Sequence, residues 1–161
     1  MKIIFLDFDG VLNNAAWIQE VYKHKAEHTS MLDRHSKELD PTKVKMISDL
    51  AVECNASIVV SSSWRLLFSV NDLIKFLQDA GLDPNVKVIG ATPSSGKWRG
   101  QDIIEFFDIF DRWFGNTDSI GNYVIFDDDG DFYADQPLVK TTWNMGLLPE
   151  HIQQARELLN K

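Results

Sequence analysis

The feature that most constrains this chain is a short apolar run that ends in two acidic residues. Residues 3–6 have no polar break, which is typical of a β-strand buried on both faces. Asp7 and Asp9 follow at once, and alternation along a strand places both carboxylates on the same side. Gly10 then permits a sharp turn, because glycine has no Cβ to clash at positive φ. The pattern predicts a carboxylate pair at the carboxyl edge of a central strand, where open α/β sheets bind ligands.

The rest of the chain alternates between strand-like and helix-like segments. Four further apolar runs predict strands, at 56–60, 86–89, 122–126 and 138–141. Helical patterns lie between them, at 15–26, from the N-cap Asp40 to residue 54, from the N-cap Asn71 to Gly81, at 102–114 and at 149–159. This alternation predicts an α/β fold with a doubly wound, Rossmann-like parallel sheet of about five strands and helices on both faces. The length of 161 residues predicts a single domain, 1–161, with a small flap or insert at about 13–40.

Composition narrows the class of protein. The sequence is 44% hydrophobic and 25% charged, as in soluble globular proteins. It has no apolar run approaching the roughly 20 residues that cross a bilayer, and no signal-peptide pattern, so we expect a cytoplasmic protein without a membrane partner. Cys54 is the only cysteine, which excludes an internal disulfide, and its helical apolar context predicts buried packing.

Acidic residues outnumber basic ones, and they are unevenly distributed. The net charge is −8, and residues 101–135 contain ten acidic residues and one basic residue, Arg112. This balance argues against a broad nucleic-acid-binding surface. It is compatible with a site that gathers a divalent cation, and with a nucleic-acid end presented to a small basic patch.

A second acidic cluster follows the predicted strand at 122–126. It consists of Asp127, Asp128, Asp129 and Asp131. Carboxylate oxygens are the ligands that Mg²⁺ prefers. An exposed acidic turn is the alternative, since Asp-Gly pairs also form tight turns. Three consecutive carboxylates at the end of an apolar strand favour the metal site.

Residues 7–12, Asp-Phe-Asp-Gly-Val-Leu, resemble the first signature of the haloacid dehalogenase (HAD) superfamily of phosphotransferases. The resemblance implies that Asp7 attacks phosphorus to form an aspartyl-phosphate, and that Asp9 acts as general acid and then as general base. It also implies a Mg²⁺ ion held by Asp7, by the backbone carbonyl of Asp9 and by one later carboxylate. Asp127 and Asp128 are alternatives for that last ligand.

Two weaker motifs of the superfamily have counterparts here. Ser61, at the end of the second predicted strand, resembles the serine or threonine that hydrogen-bonds the phosphoryl group, and Ser62 is the next candidate. The third motif is a lysine or arginine near the start of the helix that precedes the fourth strand. Lys97 and Arg99 both fit, and Arg99 is favoured because it lies closer to the predicted helix.

Further residues beside these motifs are candidates for substrate contacts. Arg65 follows the serine run, and we expect it either to contact the substrate or to be an exposed helix residue. Trp17, Trp64 and Trp98 also lie beside the motifs in sequence, and any of them could stack on a base or a sugar.

No segment is long enough to form a separate cap domain, so the resemblance is to a capless or minimally capped member. The runs 59–65 and 127–129 are similar to small HAD domains associated with RNA-repair proteins. This implies a Mg²⁺-dependent phosphomonoesterase that acts on nucleotide or nucleic-acid terminal phosphates. The alternatives are a phosphatase of small sugars or metabolites, and a non-catalytic phosphate- or protein-binding module that keeps the fold.

Overall fold

The computed structural model describes residues 1–23, 30–115 and 121–161. The strands are β1 (Lys2–Leu6), β2 (Ala56–Val60), β3 (Val88–Ala91), β4 (Tyr123–Asp127) and β5 (Leu138–Lys140). The helices are α1 (Ala15–Lys23), α2 (Met31–Ser36), α3 (Pro41–Cys54), α4 (Val70–Asp79), α5 (Arg99–Phe114) and α6 (Pro149–Leu159). A short 3₁₀ turn, Ser63–Leu66, follows β2.

The strands form one parallel sheet in the order β3-β2-β1-β4-β5. The chain builds outward from β1 through β2 to β3, and then crosses to β4 and β5 on the other side of β1. The order therefore reverses between β1 and β4, where Leu6 pairs with Phe126. In an open α/β sheet, a ligand crevice forms at the carboxyl ends of the strands at such a point.

Alternate residues of β1 belong to two separate cores. Ile4 and Leu6 lie in the larger one, together with residues of α3, α4 and α6. Ile3 and Phe5 lie in the smaller one beneath α5, where the ring of Phe5 meets that of Phe106 edge-on at 5.4 Å. The predicted doubly wound α/β sheet with helices on both faces is therefore confirmed.

The starts of two helices differ from the prediction. α4 begins at Val70 with Ser69 as its N-cap, not Asn71: the Ser69 hydroxyl accepts from the Asp72 N–H, and the Asp72 carboxylate accepts from the Ser69 N–H. α5 begins at Arg99, three residues before the predicted 102, and its N-cap Trp98 makes no side-chain capping bond. A capping residue therefore accounts for the start of α4, but the start of α5 has no such local cap.

One strand also differs from the prediction. β3 spans Val88–Ala91 rather than 86–89, and its pairing with β2 is irregular between Ile58 and Val59. Since β3 is at the edge of the sheet and only partly buried, its apolar pattern constrains the register weakly. The remaining predicted strands agree within one residue.

The predicted insert at 13–40 carries α1 and α2. Residues 24–29, which include the end of the helix predicted at 15–26, lie outside the described residues. Cys54 is 6% exposed and packs in the larger core, as predicted. Among the helices of the described ranges, none has the length and apolar content that a membrane span requires.

Candidate active site

Two buried carboxylates lie at the ends of neighbouring strands. Asp7 follows β1 with 1% exposure, and Asp127, fully buried, closes β4. The N–H of Asp7 donates to the carbonyl of Phe126 at 3.0 Å, which fixes the strand ends side by side. Burial raises the pKa of both carboxyl groups, and the charge of Asp7 raises the pKa of Asp127 further, to about 7. Positive charge is needed to keep this pair ionised.

Arg99 supplies that charge from the first turn of α5. Its Nη1 donates to Asp7 Oδ2 at 2.7 Å and to Asp127 Oδ2 at 2.5 Å. Burial alone would lower the pKa of Arg99, but the two carboxylates hold it above its ordinary value. The side chain of Lys97, two residues earlier, is exposed. The structure thus brings Arg99, rather than Lys97, between the carboxylates.

The segment after β4 holds the start of α5 in place. The N–H of Arg99 donates to Asp131 Oδ2 at 3.1 Å, and the N–H of Gly100 donates to the Asp131 carbonyl at 3.1 Å. A Cβ on Gly100 would lie 3.1 Å from the Cα of Phe132, so a glycine suits this close approach. Asp131 therefore caps α5 from another part of the chain, since Trp98 does not.

Asp128 completes a group of three carboxylates with Asp7 and Asp127. One oxygen of each lies within 4.8 Å of the others. Gly10 allows this approach: its φ is +69°, and a Cβ there would lie 2.3 Å from Asp128 Oδ2. Burial, and then the charge of Asp7, raise the pKa of Asp128. Three carboxylates meet one guanidinium, so negative charge is in excess, and an oxygen-seeking divalent cation such as Mg²⁺ fits this donor set.

The carboxylate of Asp9 points to other partners. Its Oδ1 accepts from Asn13 Nδ2 at 2.9 Å, and its Oδ2 accepts from Trp64 Nε1 at 2.8 Å. It does not belong to the three-carboxylate group. The Asp9 carboxylate is therefore held by Asn13 and Trp64, apart from the three-carboxylate group.

Two buried serines follow β2, next to the end of β1. The N–H of Ser61 donates to the carbonyl of Leu6 at 2.9 Å, which places Ser61 beside Asp7 across β1 and β2. Its Oγ is buried and has no hydrogen-bond partner among the described residues. The hydroxyl of Ser62, also buried, hydrogen-bonds Asp7 and favours its ionised form. An unpaired buried hydroxyl is unfavourable unless a ligand completes it, and an anion such as a phosphoryl group would do so.

The expectation of a substrate contact at Arg65 needs correction. Its side chain is 8% exposed, and Nη2 donates to Asp102 Oδ2 at 2.7 Å. The other bonds go to carbonyl oxygens, those of Thr92, Pro93, Ser61 and Ser62. These bonds use all five N–H donors of a guanidinium. Arg65 is therefore neither free to bind a substrate nor exposed, and it positions the serine loop against α5.

The three candidate tryptophans have different surroundings. Trp64 is 4% exposed, so it cannot stack on a base and instead holds Asp9. Trp17 is partly buried on α1, and its Nε1 donates to the carbonyl of Lys37 at 3.2 Å. Trp98 is 52% exposed beside Arg99.

Several residues build the site through contacts that the sequence did not predict, although Trp64 and Asp131 were candidates for other roles. They are Asn13 and Trp64, which bind Asp9, Asp131, which caps α5, Asp102, which pairs with Arg65, and Thr141, which donates to the Gly10 carbonyl at 2.6 Å. Only Asn13 carried a local signal, because it lies four residues after Asp9 in a turn. The others meet their partners through the fold, from distant parts of the chain.

The switch-point position, the two acidic strand ends and the bridging arginine define a HAD-type site. A family model described as the HAD domain in Swiss Army Knife RNA repair proteins matches residues 3–152. The chain therefore belongs to this family of HAD domains, which indicates a phosphatase-like function in general terms. No match was found among curated proteins or among solved structures.

Proposed function

We propose that this protein is a Mg²⁺-dependent phosphomonoesterase that works through an aspartyl-phosphate on Asp7. The observation that supports this most directly is the Asp7–Arg99–Asp127 cluster beside Ser61, whose hydroxyl has no partner within residues 1–23, 30–115 and 121–161. One buried nucleophile, one fixed guanidinium and one free donor are what an incoming phosphoryl group requires. We assign the third-motif role to Arg99 and leave Lys97 outside the catalytic group.

In the first step, a carboxylate oxygen of Asp7 attacks phosphorus. The bond from phosphorus to the leaving oxygen breaks, and that oxygen takes the electron pair and a proton from Asp9. In the second step, Asp9 removes a proton from water, whose oxygen attacks phosphorus. The bond to Asp7 then breaks and releases inorganic phosphate. Arg99 and the Ser61 hydroxyl stabilise charge on the phosphoryl oxygens in both steps.

Asp7, Asp127 and Asp128 would hold the metal ion, with the backbone carbonyl of Asp9 as a further ligand. A bound Mg²⁺ supplies positive charge that offsets phosphoryl and carboxylate charge in this buried site. Asp127 and Asp128 both remain candidates for direct coordination. The exposed side chain of Asp129, 3.8 Å from Arg99 Nη2, lies outside the three-carboxylate group.

The preferred substrate class is a nucleotide or a nucleic-acid terminal phosphate. The RNA-repair context in the family description supports this choice. The acidic balance of residues 101–135 favours the second candidate, a phosphatase of small metabolites, because extended polyanions are repelled. A short oligonucleotide end presents few phosphates and is compatible with both observations.

The test is phosphate release from a panel of substrates, with and without Mg²⁺. The panel contains 5′- and 3′-phosphorylated oligonucleotides, mononucleotides and sugar phosphates. We expect Mg²⁺-dependent release that Asp7→Asn reduces to background, and an acid-quenched phospho-enzyme mapped to Asp7 by mass spectrometry. Wild-type turnover by Asp7→Asn would refute the mechanism, and release from sugar phosphates alone would favour the small-molecule alternative.

A matched pair of variants tests the metal site. Asp128→Asn should raise the Mg²⁺ concentration that half-maximal turnover requires, because it removes one of the three clustered carboxylates. Asp129→Asn removes the same charge from the neighbouring, mostly exposed position and should leave it nearly unchanged. Equal shifts in the two variants would mean that general negative charge, rather than coordination, attracts the ion. Absence of turnover in wild type with retained phosphate binding would favour the non-catalytic module.

A further inference from the structure

An exposed aromatic ring is attached directly next to the arginine of the site. Trp98 is the N-cap of α5 and is 52% exposed, while Arg99, the next residue, reaches Asp7 and Asp127. The Cα atoms of adjacent residues lie about 3.8 Å apart, so the ring is attached to the backbone next to the arginine that reaches the site. The exposed ammonium of Lys97 precedes it.

The ring of Trp98 is held in place by a second aromatic residue. Tyr133 meets it edge-on, with ring centroids 5.7 Å apart and planes at 83°. Tyr133 is itself fixed, because its hydroxyl donates to Gln101 Oε1 at 3.0 Å and its N–H donates to Gln136 Oε1 at 3.0 Å. A ring supported in this way can receive a flat ligand with little further loss of conformational freedom.

The other tryptophans beside the motifs do not offer such a face. Trp64 is 4% exposed, and Trp17 is partly buried with its N–H bonded to Lys37. Trp113 is 74% exposed but lies at the far end of α5. Its separation from Trp98 is about 22 Å along the helix axis.

We propose that Trp98, supported by Tyr133, stacks on the nucleobase adjacent to the phosphate that Arg99 binds. The inference rests on the proposed function and restricts its substrate class to phosphate esters whose leaving group carries a nucleobase. Every base has a π-face, so this contact selects for nucleotides without selecting a sequence. Lys97 precedes Trp98 in the chain and is exposed, so its charge would favour the further phosphate of a short strand.

The test compares two substrates that differ only in the base. One is a terminally phosphorylated dinucleotide, and the other is the same molecule with an abasic residue at the phosphorylated position. Base-to-aromatic stacking corresponds to roughly 5- to 150-fold in binding or kcat/KM. We expect Trp98→Ala to lower kcat/KM for the first substrate by that factor and to leave the abasic one within about twofold. Trp98→Phe should retain most of the preference.

Trp113→Ala is the matched control, since it removes an exposed tryptophan from the same helix and should change neither substrate. An equal loss for both substrates in Trp98→Ala, or no loss for either, would overturn the proposal. Circular dichroism checks that each variant is folded. Trp98 makes no capping bond through its side chain, so its replacement should not disrupt α5.

A binding measurement separates this proposal from the proposed function. Equilibrium binding of both dinucleotides is measured on the full chain carrying Asp7→Asn, with Trp98 intact and with Trp98→Ala. Tighter binding of the base-bearing dinucleotide that is lost with Trp98 supports the stacking site even if wild type releases no phosphate. Equal binding of both dinucleotides overturns the stacking site even if wild type is an active phosphatase.

Discussion

Replacing Trp64 with phenylalanine tests the role of the hydrogen bond that holds Asp9. Trp64 Nε1 donates to Asp9 Oδ2 at 2.8 Å, and the second carboxylate oxygen accepts from Asn13. Phenylalanine keeps an aromatic ring but has no donor. Asp9 would then be held on one side only, and a displacement of about 1 Å of a catalytic group can lower the rate about 100-fold.

The effect on stability can be worked out from the same contacts. A hydrogen bond to a charged group contributes about 1.5–3 kcal/mol, and the smaller ring leaves a partial cavity. Trp64 packs edge-on against Phe8 at 5.3 Å and against His35 at 4.9 Å, so the cavity is well enclosed. We expect Trp64→Phe to lower the free energy of unfolding by about 2–4 kcal/mol, measured by urea denaturation.

Steady-state kinetics separates positioning from general loosening of the core. The proposed mechanism gives Asp9 a part in the chemical steps. On that basis, Trp64→Phe should lower kcat about 100-fold and leave KM nearly unchanged. Phe76→Leu is the control, because the ring of Phe76 lies in the same aromatic cluster, 5.9 Å from that of Trp64, and has no polar atom that could hydrogen-bond Asp9. A kcat within twofold of wild type in Trp64→Phe, or an equal fall in both variants, would refute the positioning role.

Three further predictions concern the rest of the site. Gly10→Ala should lower the free energy of unfolding by at least the roughly 1–2 kcal/mol of left-handed strain, and it should displace Asp128. Added Mg²⁺ should then raise the melting temperature less than in wild type, and an equal rise would contradict the close approach. Arg65→Met should lower the free energy of unfolding by about 3–5 kcal/mol, because it leaves Asp102 buried without its ion-pair partner. A loss below 1 kcal/mol in urea denaturation would mean that this ion pair does not stabilise the fold. Mg²⁺ at 100 times its dissociation constant should stabilise the wild type by about 2.7 kcal/mol and should stabilise Asp127→Asn by much less. If calorimetry finds equal stabilisation of both, the ion binds elsewhere.

The strands of the centre could be predicted because their residues are buried on both faces. An uninterrupted apolar run such as 56–60 has few alternatives to a central parallel strand, and the structure gives Ala56–Val60. The edge strand β3 is only partly buried, and its predicted position was wrong by two residues. Apolar patterning fixed the boundary where burial is complete, and it did not fix that of the partly buried β3.

The common location of the acidic residues at the ends of β1 and β4 could be predicted from the parallel topology. Parallel strands end at one edge of the sheet, so the acidic residues that follow two of them were expected at that same edge. The partners of Arg65 and Asp9 could not be found in this way. Asp102 lies 37 residues after Arg65, and Trp64 lies 55 residues after Asp9, so neither pair leaves a periodic signal. Such contacts depend on side-chain directions that only the folded chain defines.

The five hydrogen bonds of Arg65 have a consequence for how this domain could accommodate different substrates. They join the loop after β2, the segment at Thr92–Pro93 and, through Asp102, the helix that carries Arg99. A substitution in any one of these segments is therefore expected to disturb the other two. Changes of substrate preference in engineered libraries are best sought at exposed positions outside this set of bonds, such as Trp98.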